Sequence, residues 1–118
     1  MDLMEAIKAH VAWKVRLERY VSGDRSENLD PTIICQDDQC MLGKWIYGEG
    51  KTYEALPNFS EMKNDHAAFH QCAADIVQKC DDGNIPEAEA LLQKDYNRIS
   101  QRVKNSLAKL GIHLIQEK

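Results

Sequence analysis

The chain lacks any long apolar run, and no stretch approaches the roughly 20 residues a membrane-spanning helix needs. Its start, Met1-Asp2-Leu3-Met4-Glu5, shows no basic segment followed by an apolar one, so no secretory leader and a cytoplasmic location are expected. Positive charge is also in deficit: 15 Lys plus Arg stand against 19 Asp plus Glu, a net charge of −4. Proteins that grip nucleic acid through its phosphates rely on clustered cations, so no nucleic-acid partner is expected. Sustained period-two alternation, internal repeats and low-complexity tracts are absent as well, which leaves little room for strands. What remains is a chain of 118 residues, 43% hydrophobic and 29% charged, the composition of one folded domain spanning residues 1–118.

Three apolar stripes at three-four spacing run along the chain. Leu3, Ala6, Ile7, His10, Trp13, Leu17, Tyr20 and Val21 mark a first helix, which Ser22-Gly23-Asp24 should end, with Gly23 in the left-handed conformation. Residues 24–38 read as a polar connector carrying a short apolar piece, Ile33-Ile34. A short helix is expected from about Asp38 to Tyr47, before Gly48-Glu49-Gly50. Phe59, Met62, His66, Phe69, His70, Ala73, Ile76, Val77 and Cys80 form the third helix, with Asn58 or Ser60 as its cap. After Asn84-Ile85-Pro86, a last stripe runs through Ala88, Leu92, Tyr96, Ile99, Val103, Leu107, Leu110 and Leu114, which Gly111 ends or weakens. Three long amphipathic helices and a short one carrying a cysteine predict an all-α fold, an antiparallel four-helix bundle.

The chemistry lies where polar residues interrupt these stripes. His10 sits between Ile7 and Trp13, and His66 and His70 occupy successive turns of one face, where residues four apart approach within about 5–6 Å. Cys40 lies near the start of the short helix. A lone core histidine is ordinarily a satisfied packing residue, and a lone cysteine a small hydrophobe. Three imidazoles at similar depth in one core would leave ring nitrogens unpaired at a cost, which a shared metal ion removes. Imidazole and thiolate suit zinc, four-coordinate and tetrahedral. Three histidines plus Cys40 close the tetrahedron; three histidines plus water would leave it open for hydrolysis. Asp37, Asp38 and Asp65 are the nearest carboxylates that would orient the rings and offset the charge. Cys35 is expected to be exposed, Cys80 packed with Cys72 beside it, Trp13 and Trp45 core anchors, and His113 solvent-facing. Gly43 either admits a neighbouring helix close to Cys40 or merely interrupts its own helix.

Three segments carry a resemblance to a known family: His10-Val11-Ala12-Trp13-Lys14, the run Cys40-Met41-Leu42-Gly43-Lys44-Trp45-Ile46-Tyr47-Gly48-Glu49-Gly50, and His66-Ala67-Ala68-Phe69-His70. Over roughly residues 5–110 the chain resembles the bacterial chemoreceptor zinc-binding (CZB) domain. The resemblance implies one zinc ion per chain held by His10, Cys40, His66 and His70, a homodimer, and no enzymatic activity. It also implies sensing of zinc or of thiol oxidation, and control of a signalling protein of the chemoreceptor or diguanylate cyclase type, in cis or in trans. A structural-zinc dimerisation module and, behind it, a three-histidine zinc hydrolase are the alternatives.

Overall fold

The computed structural model describes residues 3–116, without the side chains of Leu3, Pro57 and residues 113–116. Every regular element among them is helical and none is a strand. Helix α1 spans Leu3–Val21, α2 Pro31–Ile34, α3 Met41–Tyr47, α4 Pro57–Asp81, α5 Ile85–Leu91 and α6 Asn97–Gln116, with a 3-10 turn at Glu49–Tyr53 and a π turn at Leu92–Tyr96. The expected side-chain positions of Leu3, His113 and Leu114 lie outside the described residues.

The first helix stops where Gly23 adopts φ +107, and the Asp24 amide donates back to the Arg19 carbonyl at 2.9 Å. That six-to-one bond closes a helix end through a left-handed residue, which glycine adopts without steric cost. Helix α4 is the organising element, packed against α1, α2, α5 and α6. Every member of its expected stripe, from Phe59 to Cys80, is buried, and Cys72 and Ala74 join them because neighbours press on more than one side. The molecule is elongated along these long helices, 49 × 23 × 19 Å.

Four local expectations change. The connector is not wholly irregular: Asp30 accepts the Thr32 amide at 2.9 Å and, with Pro31 in the first turn, caps a one-turn helix, α2, that buries Ile34 and leaves Ile33 exposed. The short cysteine helix starts at Met41, after Cys40, since Cys40 itself is its extended N-terminal cap. Neither Asn58 nor Ser60 caps α4; Leu56 occupies that position with no side-chain bond, and Pro57 supplies the first turn. The last stripe is one helical run with a wide turn in it, and Gly111 does not end it. Ala88, Leu92, Tyr96 and Ser100 are all buried at successive steps of four. Steps of four outrun a 3.6-residue turn, and the π turn absorbs the excess. Ser100 thereby takes an inward place and Ile99 stays half-buried.

Candidate metal centre

The four residues singled out by the stripes and the cysteine segment meet at one point. One ligand-type atom from each of His10, Cys40, His66 and His70 can be chosen so that all lie within 4.8 Å of one another. They come from α1, the cap of α3 and two successive turns of α4. Cys40 Sγ lies 3.2 Å from His66 Nε2, and His66 Nε2 lies 3.0 Å from His70 Nε2. The three imidazoles are 0–4% exposed, whereas Cys40 is half-buried.

Backbone carbonyls set the ring orientations. His10 Nδ1–H donates to the Ala6 carbonyl at 2.7 Å, one turn back along α1. His70 Nδ1–H donates to the Ile34 carbonyl at 2.9 Å, so α2 matters to the site through its last residue. A carbonyl only accepts, so both rings carry their proton on Nδ1 and turn a lone pair at Nε2 inward. His10 Nε2 and His66 Nδ1 are buried with no hydrogen-bond partner. The rings also pack edge to face, His66 against His70 at 4.5 Å and His10 against Phe69 at 4.9 Å. Tyr96, carried by the π turn, packs on Phe69, and its hydroxyl donates to the His10 carbonyl at 3.5 Å.

Burial holds all three imidazoles neutral. It is the main cause lowering His66 to about 2, with the neighbouring His70 and His10 rings adding to it. His10 and His70 are also lowered by burial, which outweighs the bonds to Ala6 and Ile34 that favour their charged forms. The Cys40 thiol is raised, again by burial first, against the favourable Gly43, Leu42 and Cys40 amides. Neutral imidazoles are ready to ligate; the thiol has a proton to lose before it can.

The cysteine segment is held by packing that depends on glycine. A Cβ on Gly43 would stand 1.8 Å from the Asp37 carbonyl oxygen, so the chain before Cys40 lies directly on this residue. Gly43 therefore admits its own preceding loop, and not a neighbouring helix. The Gly43 amide donates to Cys40 Sγ at 3.3 Å, and the Tyr47 hydroxyl donates to Asp37 at 2.7 Å. The carboxylates expected to orient the rings are engaged elsewhere: Asp37 with Tyr47, Asp38 with Gln39 at 3.2 Å and Asp65 with Ser106 at 3.0 Å. Each is nearest along the chain, yet short side chains reach partners within their own loop or helix neighbour first. Cys35 is exposed, Cys72 and Cys80 are buried, and none of them joins the cluster. Trp45 stacks on Tyr53 at the edge of the core, and Trp13 carries the Arg16 guanidinium on its face at 3.8 Å.

A family model described as the chemoreceptor zinc-binding domain, CZB, matches residues 10–77, more than half of the chain. The chain belongs to the CZB family. No curated protein and no solved structure matches it. The CZB match begins at His10 and takes in Cys40, His66 and His70.

The donor set fits the ion the CZB description names. Tetrahedral zinc with bonds of about 2.0–2.1 Å to nitrogen and 2.3 Å to sulfur separates its ligand atoms by roughly 3.3–3.6 Å. The 3.0 Å and 3.2 Å separations sit near that figure, and the 4.8 Å limit leaves a short inward movement for the rest. The inward lone pair of His10, buried without a hydrogen-bond partner, is a group that a cation would satisfy.

Proposed function

We propose that this CZB domain binds one zinc ion per chain through His10, Cys40, His66 and His70, and that occupancy of the site regulates a partner signalling protein. The observation that carries the reading is the convergence of three neutral imidazoles and one thiol from separate segments within 4.8 Å. Bound zinc would act as a Lewis-acid cross-link and supply no reaction of its own. Cys40 stands where an open, hydrolytic site would keep water, which favours a sensor over an enzyme.

The chain's own residues supply the rest. His10 and His70 present Nε2 because Ala6 and Ile34 hold their other nitrogens. Cys40 releases its proton to solvent on binding and regains it on release, so occupancy depends on pH and on the state of the thiol. Tying α1, the α3 cap and α4 together stabilises that arrangement by about 2.7 kcal/mol at a hundredfold excess of free metal over Kd, enough to bias two helix arrangements. Loss of zinc or oxidation of Cys40 releases α1 or the α3 cap, the change the partner reads. A single domain running the length of the chain, the long helices antiparallel in a four-helix bundle, and a cytoplasmic setting complete the reading. A homodimer is part of it, supported by Val11 and Val15, 47% and 50% exposed on the outer side of α1. No described helix is long and apolar enough to cross a membrane.

Elemental analysis of protein purified without a histidine tag tests the reading. About one zinc per chain is expected, falling to a small fraction in Cys40→Ala. Iron, or two metals per chain, would overturn it. Chelation that strips the metal while helicity persists is the expected mark of a regulatory ion; a metal lost only on unfolding would mark a structural one.

A further inference from the structure

The four ligand-type atoms are not equally sheltered. Cys40 and His70 line a cleft of about 270 Å³ that opens to solvent, whereas His10 and His66 do not border it. Its outer lining includes the exposed side chains of Asn28 and Gln39 and the half-buried Trp13 and Arg16. The cleft lies between α1, the connector with α2, and the loop before Cys40, so each wall is an element that orients or carries a ligand. Away from the cleft, Phe69 packs against His10 and Tyr96 packs against Phe69, and His10 and His66 are buried.

Arg16 lines this cleft. Its guanidinium lies over the Trp13 ring at 3.8 Å, and its Nε donates to Glu27 at 2.8 Å, joining α1 to the connector next to the lining residue Asn28. The pair is 36% and 47% exposed, and an ion pair so open to water contributes little to stability. It is a latch that thermal motion opens readily. Asp30 also lines the cleft and places a carboxylate beside the path, where a divalent cation is attracted and the Arg16 charge, when unlatched, repels it.

We propose that this cleft is the port by which the metal reaches and leaves the cluster, meeting Cys40 and His70 first and His10 and His66 last, with Arg16 as its gate. The inference rests on the zinc reading above. A port acts on the barrier and not on the bound state, so its alteration shifts the rates of binding and release together and leaves Kd where it was. A residue that merely supports the ligands moves Kd instead.

The test follows zinc binding to metal-free protein, and zinc transfer from loaded protein to a chromogenic chelator, by stopped flow. Asn28→Trp, on the exposed connector, should slow both processes several-fold. Arg16→Ala should quicken both several-fold, and it keeps the test decisive if the tryptophan variant does not fold. Kd should match the wild type in each case. Rates unchanged in both variants, or a weaker Kd arising from release alone, would overturn the port. Wild-type protein that binds no zinc at all overturns the proposed function instead, so the two failures are distinguishable.

Discussion

Two halves of the site are built differently. His66 and His70 stand one turn apart on α4, a 25-residue helix buried among α1, α2, α5 and α6, and their spacing follows from helix geometry alone. Cys40 ends a loop whose position depends on Gly43 beneath the Asp37 backbone and on the bond from Tyr47 to Asp37. The first half shares the core; the second rests on the close approach of the Asp37 backbone to Gly43, the Gly43 amide bond to Cys40 Sγ and the exposed bond from Tyr47 to Asp37. A site made of a fixed half and a lightly held half is suited to change at the cysteine while His66 and His70 stay in place.

The largest effect should come from the fixed half. Phe69→Ala removes a fully buried ring packed against His10 and Tyr96 and should cost about 3–5 kcal/mol, read by denaturant melts of metal-free protein. A cost under 1 kcal/mol would show that α4 is not the scaffold supposed here. On the lightly held half, Cys40→Ala should leave the fold intact yet weaken zinc by more than the roughly 10–100-fold typical of losing an outer partner, measured by competition with a chelator. Gly43→Ala forces the Asp37 loop outward and should cost about 1–3 kcal/mol with zinc weakened in step, while helicity by circular dichroism stays near wild type.

Acid should strain the fixed half as well. His66 titrates near 6.5 when unfolded and about 2 when folded, so between those values the unfolded chain binds more protons. The stability of metal-free protein is then full above pH 6.5 and falls as pH drops. His66 contributes to that loss because its imidazole is held neutral by burial and by the neighbouring His70 and His10 rings. Melts at pH 7.5 and 5.5 that coincide would contradict this. Smallest of all, Tyr47→Phe should cost about 0.5–1 kcal/mol, because its bond to Asp37 is open to water. Its sharper mark is faster zinc release, since the loop before Cys40 loses its tether.

The stripes made most of the core legible. Ala6, Leu17, Tyr20 and Val21 on α1, and Phe59 through Cys80 on α4, needed only the 3.6-residue repeat to be placed inward. The π turn left a trace in the repeated steps of four through Ala88, Leu92 and Tyr96, but a trace also compatible with an ordinary drifting stripe. Helix α2 was announced only by Asp30-Pro31, too short a signal to outweigh the polar residues around it. The ring partners were hidden for a different reason. Ala6 and Ile34 act through carbonyls that every residue possesses, so no side chain advertises them.

Residue type and spacing determined by themselves that the chain is helical, that His10, His66 and His70 face inward, and that Cys40 lies near the start of a short helix, since each follows from periodicity within a few turns. Tertiary packing decided that these four meet, that backbone carbonyls and not Asp37, Asp38 or Asp65 orient the imidazoles, and that Cys40 and His70 alone of the four border the cleft. Local periodicity specifies directions around a helix axis. Distances between segments come only from how their surfaces fit together.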